Sequence, residues 1–184
     1  MTELQSQGLE KVSFVERGSI LSGTDVTSLG HIFIQGKLAP GNSPGCINAD
    51  SLIFTSTAAL EIEIGGATPC SEYDRVIVAE QLTLNGAVLK LKFLNGYSPD
   101  EGATFDILDW GTVTGSFGDF DISEAPLPDT LAWDFSAIAT TGVINVIATP
   151  VEVSVPFPLA SYLGLTALVL ISAGFAIDRT IRVS

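Results

Sequence analysis

Residues 60–64 read Leu-Glu-Ile-Glu-Ile, and residues 89–93 read Leu-Lys-Leu-Lys-Phe. In both segments apolar and charged side chains alternate with a period of two, which is the pattern of a β-strand that buries one face. The first segment places Glu61 and Glu63 on its polar face, and the second places Lys90 and Lys92 there. If the two strands are neighbours, we expect these charges to form an outward ladder, with each exposed pair worth less than about 1 kcal/mol.

Further segments of the chain have the composition of short strands, and turn-forming residues separate them. Asn-Gly at 85–86 and at 95–96 and Gly-Gly at 65–66 are typical turn sequences. No amphipathic helix of more than two turns is predicted before Val153. The additional predicted strands are 31–38, 51–55, 75–78, 81–84, 104–108, 130–135 and 142–147.

This succession of strands predicts an all-β domain. Each unit is one short strand closed by small or polar residues, and a single unit cannot bury its apolar face without another stacked on it. We therefore expect a short right-handed parallel β-solenoid, similar to a β-helix. A jelly roll is the alternative that the same spacing allows.

The composition combines two properties that seldom occur together. The 184 residues carry a net charge of −13, yet the mean hydropathy is +0.43. Such a chain is expected to have an acidic part and a separate apolar part. The acidity argues against a nucleic-acid partner, because nucleic-acid binders neutralise phosphates with Lys and Arg.

The apolar part is the C-terminal region. Residues 158–177 supply 20 residues without a charged side chain, about the number that a helix needs to cross a bilayer core. We predict a transmembrane helix over 158–177 and a linker over 151–157. A buried helix of a soluble domain is the alternative.

Charge placement predicts the orientation of this helix. Residues 1–152 contain 20 of the 21 acidic residues, whereas the tail at 178–184 carries Arg179 and Arg182. The positive-inside rule places the tail in the cytoplasm and residues 1–150 outside it, as an extracytoplasmic β-domain in a bacterial envelope. The first seven residues do not have the composition of a signal peptide, and we expect the true start to lie upstream of Met1. Insertion of the C-terminal segment after translation is the alternative.

Two cysteines fit an extracytoplasmic location. Cys46 and Cys70 are 24 residues apart and both lie in turn sequences rich in Gly, Pro and Ser. A disulfide between them would stabilise the fold by about 3 kcal/mol through chain entropy alone, and exported turn cysteines usually pair. Two free thiols are the alternative.

No catalytic constellation is predicted, and we expect a protein that is not an enzyme and holds no cofactor or metal. His31 is the only histidine, so a Ser-His-Asp triad would have to use it. Glu61 and Glu63 have a separation that a glycosidase pair would allow, but a solvated strand face explains them as well. The acidic segments 98–101 and 119–121 are predicted turns without a calcium-loop motif.

The larger aromatic residues allow two interpretations. They could build a platform for a carbohydrate, or they could pack in the core and close the end of the stack. The residues concerned are Tyr73, Tyr97, Trp110 and Trp133.

Residues 36–146 resemble the region that follows or ends the parallel β-helix in bacterial autotransporter passengers. The resemblance rests on Gly-Lys-Leu-Ala-Pro-Gly-Asn-Ser-Pro-Gly at 36–45, Leu-Glu-Ile-Glu-Ile-Gly-Gly at 60–66 and Glu-Tyr-Asp-Arg-Val-Ile-Val at 72–78, followed by Leu-Asn-Gly-Ala-Val-Leu at 84–89 and the run at 96–108. It implies a surface-exposed β-solenoid and says little about activity. No membrane β-barrel sequence follows, so the chain differs from an autotransporter in that respect.

The C-terminal region resembles the PEP-CTERM class of sorting signals. In that class a Val-Pro-Glu-Pro motif precedes an apolar helix and basic residues, and an exosortase cleaves there. The resemblance implies an exosortase-like partner; Phe157 stands where the family has Glu. The matching residues are Val155, Pro156, Phe157, Pro158, Arg179 and Arg182.

These observations together predict a non-enzymatic protein of the bacterial cell surface or extracellular matrix, with a structural or adhesive role. It would be anchored or sorted through its C-terminal segment, with the membrane and extracellular polysaccharide as partners. One alternative is a carbohydrate-binding surface module. Another is the C-terminal fragment of a larger adhesin or polysaccharide hydrolase.

Overall fold

A computed structural model describes residues 12–23, 31–41 and 44–149. The backbone separates into two units, 1–150 and 151–184, and the described residues all lie in the first. The predicted linker, membrane helix and tail lie outside the described residues. In chain order the elements are β1 (Val12–Val15), β2 (Ile20–Gly23), β3 (His31–Ile34), β4 (Lys37–Pro40), β5 (Cys46–Phe54), β6 (Ala59–Ile64), β7 (Arg75–Thr83), β8 (Val88–Phe93), β9 (Thr104–Asp106), β10 (Leu108–Thr114), β11 (Asp119–Glu124), β12 (Leu131–Asp134), α1 (Ile138–Thr141) and β13 (Val143–Ala148).

Ten of these strands form two parallel five-stranded sheets. Sheet 1 has the order β1-β3-β5-β7-β10, and sheet 2 has the order β2-β4-β6-β8-β11. Consecutive strands of the chain alternate between the sheets, so a strand of sheet 1 and the next strand of sheet 2 form a unit that we call a rung. The described residues contain five rungs, and the fifth consists of β10 and β11. The domain is therefore all-β with parallel sheets, which is compatible with a β-helix-like fold.

The alternating sequence pattern explains why the rungs stack. Ile32, Leu52 and Leu82 occupy matched positions in three successive strands of sheet 1, and all three side chains are fully buried. Each fully buried aliphatic side chain contributes about 1.5–3 kcal/mol relative to an exposed one. Because the buried side chains of both sheets belong to one hydrophobic cluster, the core runs through the stack from rung to rung.

The parallel pairing argues against one of the two predicted architectures. A jelly roll is built from antiparallel strands, whereas every neighbouring pair in sheets 1 and 2 is parallel. The jelly-roll alternative is therefore wrong for these sheets. The Asn-Gly turn at 85–86 forms with positive φ at both residues, but it connects a strand of sheet 1 to a strand of sheet 2 instead of closing a hairpin.

Several predicted boundaries differ from the structure. Segment 51–55 is the end of β5, which begins at Cys46, and segment 104–108 contains β9 and the first residue of β10. The segment 31–38 is two strands, because Gln35 and Gly36 turn the chain from one sheet to the other. The segments 75–78 and 81–84 belong to one strand, β7, which contains a bulge. Segment 119–121, predicted as a turn, begins strand β11.

The bulge in β7 requires a glycine in the next strand. Two residues of β7, Ala79 and Glu80, lie opposite the single Gly111 of β10. A Cβ at Gly111 would lie 2.6 Å and 2.7 Å from the backbone oxygens of these two residues. Since real side chains do not tolerate such distances, Gly111 is the residue that lets the bulge stack.

A third, antiparallel sheet of order β12-β13-β9 adjoins the rungs. It is joined to the start of β10 through the oxygen of Gly142, which accepts hydrogen bonds from the amides of Ile107 (3.0 Å) and Leu108 (3.2 Å). Gly142 ends α1 in the left-handed conformation with φ of 75°. The helix is a single turn, and no helix within the described residues is long and apolar enough to span a membrane.

Candidate functional site

The predicted disulfide is present. Cys46, the first residue of β5, is bonded to Cys70 in the loop that joins β6 to β7. The Cα atoms of the two cysteines are 4.8 Å apart. The bond closes a loop across two successive rungs, and a disulfide of this kind persists in an oxidising compartment.

The loop that carries Cys70, residues 65–74, is named here the locked loop. The carboxylate of Glu72 accepts hydrogen bonds from the amides of Ala67 (3.0 Å) and Thr68 (2.8 Å). Hydrogen bonds from Thr68 and Ala67 lower the pKa of Glu72. The backbone of the locked loop is also bonded to β6, because the amide of Asp74 donates to the oxygen of Glu63 at 3.0 Å.

Asp74, the last residue of the locked loop, is fully buried. Its carboxylate accepts hydrogen bonds from the amide of Gly45, just before β5, at 2.7 Å and from the amide of Glu63 in β6 at 2.8 Å. Burial raises the pKa of Asp74 to about 7, although the two amides act in the opposite direction, and the nearby charges of Glu63 and Glu61 raise it further. One carboxylate thus ties together the chain before β5, β6 and the start of β7.

The charged residues of sheet 2 form a ladder on its outer face. Glu61 lies opposite Lys90, and Glu63 lies opposite Lys92, in neighbouring strands. Lys92 bonds Glu63 at 2.7 Å, as the alternation suggested. Two more ion pairs join neighbouring strands of sheet 2, one from Lys37 to Glu61 and one from Lys90 to Asp121, both at 2.8 Å. We call these six residues the charge ladder.

The ion pairs of the charge ladder shift the pKa values of three of its residues. The hydrogen bonds that Lys90 and Lys92 donate to Asp121 and Glu63 raise the pKa values of the two lysines, and the bond from Lys90 holds the pKa of Asp121 well below its usual range. Glu61 and Glu63 are each bonded to a lysine, which corresponds to the solvated strand face that the sequence also allows for them.

Most of the large aromatic residues pack against one another beside sheet 3. Phe105 is fully buried, and its ring centroid lies 5.4 Å from that of Tyr73, 6.0 Å from Trp133 and 6.5 Å from Tyr97. The indole nitrogen of Trp133 donates to the oxygen of Ala125 at 3.0 Å. Trp110 is half-buried against the same core. These contacts place the four residues in packing roles and give no flat, exposed row of rings.

His31 lies opposite Ser51 in the neighbouring strand of sheet 1. The hydroxyl of Ser51, which is buried, donates its one proton to the carboxylate of Glu80 at 3.3 Å. A serine nucleophile needs that proton to pass to an imidazole, so the bonding at Ser51 does not correspond to a triad. No group of three or more metal-binding side chains occurs in the described part of the chain.

A groove lies at the corner where the chain passes from sheet 1 to sheet 2. In rungs 1, 3, 4 and 5 this connection has four residues, at 16–19, 55–58, 84–87 and 115–118. In rung 2 it has only two, Gln35 and Gly36. The short connection lies between two longer ones, and the missing residues leave an open groove of about 260 Å³. We call it the corner groove.

A glycine at position 36 is what allows this short turn to stack. A Cβ at Gly36 would collide with the backbone oxygens of Glu16 and Ser19 in the connection of rung 1. The amide of Lys37 donates to the oxygen of Ser19 at 2.9 Å, and the amide of Ala59 donates to the oxygen of Gly36 at 3.0 Å. The floor of the groove is therefore a bonded part of the stack. Its lining consists of Arg17, Gly18, Ser19, Ile20, Gln35, Gly36, Lys37, Thr57, Ala59 and Lys90.

Arg17 has no ion-pair partner in the described part of the chain, whereas Lys37 and Lys90 bond carboxylates of the charge ladder. The groove was not predicted from the sequence. A signal for it exists, because the spacing from the last strand residue of sheet 1 to the first of sheet 2 is shorter by two in one rung than in the others. The predicted sorting residues, from Val155 to Arg182, lie outside the described residues.

No protein-family model matches this chain, and no curated protein matches it in sequence.

Proposed function

We propose that the chain is a non-enzymatic structural or adhesive protein of the bacterial cell surface or extracellular matrix. Residues 1–150 form a short right-handed parallel β-solenoid outside the cytoplasm, 151–157 a linker with the sorting motif, 158–177 a transmembrane helix and 178–184 a cytoplasmic tail. The observation that carries the proposal is the disulfide between Cys46 and Cys70, since such bonds persist where thiols are not kept reduced.

The architecture supports a structural role. Connections between parallel strands of one sheet are right-handed in about 98% of cases, which supports a right-handed winding. The outer face of sheet 2 is occupied by the charge ladder, whose carboxylates are bonded to lysines. Faces that are closed by their own ion pairs are suited to spacing or display.

The C-terminal segment supports anchoring. Residues 158–177 have the length and apolar composition of a spanning helix, and Arg179 with Arg182 favours a cytoplasmic tail. An exosortase-like enzyme is the proposed partner for Val155, Pro156, Phe157 and Pro158. Cleavage at that motif would release the domain to the cell surface.

A pair of cysteine substitutions tests this topology. Ser98 is exposed in the described domain, and Ser184 is the last residue of the chain. Because the native cysteines are bonded to each other, a thiol reagent reports only on the introduced residue. The full chain is expressed in a bacterial host behind an added signal peptide, and intact cells are treated with a membrane-impermeant maleimide.

We expect Ser98→Cys to be labelled in intact cells and Ser184→Cys only after the cells are permeabilised. Labelling of Ser184→Cys but not Ser98→Cys in intact cells would reverse the topology. Equal protection of both positions would place the domain in the cytoplasm and overturn the proposal.

A carbohydrate-binding module is the second candidate function. The corner groove favours it, since it is a concave site with both apolar and hydrogen-bonding residues in its lining. This candidate requires the same location outside the cytoplasm, where polysaccharide is available.

A further inference from the structure

We propose that the corner groove binds the carboxylated sugar of an acidic polysaccharide, a uronate, with Arg17 as the residue that holds its carboxylate. The inference deepens the proposed surface function and rests on it for the source of the ligand. The site itself can be tested on the purified protein.

The first argument is the distribution of positive charge. The described residues contain five basic side chains, and three of them line the groove, although the whole chain has a net charge of −13. Lys37 and Lys90 already have carboxylate partners at 2.8 Å. The guanidinium of Arg17 has no such partner among the described residues, and its planar fork suits a carboxylate bound through two hydrogen bonds.

The second argument is the size and lining of the groove. Its volume of about 260 Å³ lies just under the roughly 300–1,000 Å³ of pockets for drug-sized ligands, so a single ring fits better than a long ligand. Ile20 and Ala59 offer apolar surface for the C–H face of a ring. Gln35 and Thr57 offer amide and hydroxyl groups for its hydroxyls.

The third argument favours a sugar over a peptide. Peptides that bind to β-proteins commonly add a strand through main-chain hydrogen bonds, which requires unpaired backbone groups. Around the groove the oxygens of Ser19 and Gly36 accept amides of the next rung, and the oxygen of Gln35 accepts the hydroxyl of Thr57 at 3.3 Å. These three backbone oxygens are therefore engaged, so recognition at this part of the groove falls to side chains, as it does for a ring with a carboxylate and hydroxyls.

The test is a calorimetric titration of the full chain, purified in a mild detergent, with trigalacturonate at low ionic strength. The matched ligand control is the methyl ester of the same trisaccharide, which removes the negative charges and adds one methyl group to each carboxyl group. We expect the ester to bind at least 10-fold more weakly, and we expect the affinity for the acid to fall as salt is added. An acidic hexapeptide of glutamates provides the peptide arm.

Two substitutions probe the groove, each with a matched control. Arg17→Gln should weaken binding at least 10-fold, and Arg17→Lys by less, because it keeps the charge. Lys92→Gln changes the net charge equally but lies outside the groove lining, and it should change affinity less than twofold. Thr57→Trp should fill the groove and weaken binding at least 10-fold.

Thr112→Trp is the control for Thr57→Trp. Thr112 is also exposed and also donates its hydroxyl to a backbone oxygen, that of Glu80 at 3.2 Å. Circular dichroism shows whether each variant retains the β-fold of the parent, and only variants that do are compared.

Equal binding of acid and ester, equal effects of Arg17→Gln and Lys92→Gln, or tighter binding of the peptide would each overturn the inference. So would the absence of any binding by the unaltered chain. None of these results affects the topology of the domain, because the maleimide experiment measures that separately.

Discussion

The locked loop and the charge ladder both cross-link successive rungs, but they do so in opposite surroundings. In the locked loop the fully buried Asp74 binds two backbone amides next to a disulfide. In the charge ladder, lysines and carboxylates pair on the outer face of sheet 2, where Lys90 and Lys92 keep more than a third of their side chains exposed. Solvent weakens the second kind of contact and not the first.

Glu63 shows the difference within one residue. Its backbone amide donates to Asp74 at 2.8 Å, and its side chain accepts from Lys92 at 2.7 Å. Loss of the first bond would leave a buried donor without a partner, which costs about 1–3 kcal/mol. Loss of the second leaves both charges near water, at a cost below about 1 kcal/mol. We therefore expect the locked loop to dominate the stability of the stack.

The largest effect is expected from Asp74→Ala. The substitution leaves the amides of Gly45 and Glu63 without their acceptor, and we expect the free energy of unfolding to fall by about 2–5 kcal/mol. Urea denaturation followed by circular dichroism measures it. Asp129→Ala is the control, because Asp129 is exposed and should shift the value by no more than about 0.5 kcal/mol. Equal effects of the two substitutions would show that Asp74 does not hold the rungs.

The next largest effect that we expect is a dependence of the free energy of unfolding on pH. Burial raises the pKa of Asp74 from its ordinary 3.8 to about 7, so the folded chain keeps a proton that the unfolded chain releases. The free energy of unfolding should therefore fall as the pH rises from about 4 to 7, by up to about 1.4 kcal/mol per pH unit, and level off above that. Asp106, whose pKa is raised mainly by burial, acts in the same direction.

The lowered pKa values of Glu72 and Asp134 affect the free energy of unfolding in a separate, more acidic pH range. Their stabilisation is present above the ordinary carboxyl pKa and is lost only at more acidic pH. Urea midpoints between pH 4.5 and 8 contain the contributions of both Asp74 and Asp106, and a variant at position 74 separates them. Asp74→Asn cannot titrate and should flatten the curve over this range; a curve as steep as that of the unaltered chain would assign the dependence to other groups.

The smallest effect is expected in the charge ladder. A double-mutant cycle with Glu63→Gln and Lys92→Gln should give a coupling energy below about 1 kcal/mol, and 0.5 M salt should reduce it. The salt dependence distinguishes an ion pair from a packing effect. A coupling energy of 2 kcal/mol or more that salt leaves unchanged would contradict this ranking, because the charge ladder would then stabilise the fold as much as the locked loop does.

Alternation predicted the strands that carry the buried and the charged faces of the stack. The side chains at 60–64 and 89–93 have the predicted faces, because the period of two follows directly from strand geometry. The disulfide was predicted as well, since both cysteines lie in turn sequences of a domain expected to be exported. The strand boundary at Gln35 and the bulge at Ala79 were not predicted, because both depend on contacts with the neighbouring rungs.

The role of Asp74 could not be predicted, and the corner groove was missed, for the same reason. Nothing in the sequence around Asp74 shows that the amides of Gly45 and Glu63 converge on it, because both belong to other rungs. The groove arises from a difference in length between stacked connections, which has meaning only once the register of the strands is known.

We propose that this domain is built for an oxidising compartment, and the stability of its reduced form tests that proposal most directly. Urea unfolding of the full chain is measured with the disulfide between Cys46 and Cys70 intact and after reduction and alkylation. We predict that reduction lowers the free energy of unfolding by about 3 kcal/mol. An unchanged free energy of unfolding in the reduced chain would contradict the proposal, since the fold would then be equally suited to a compartment that keeps thiols reduced.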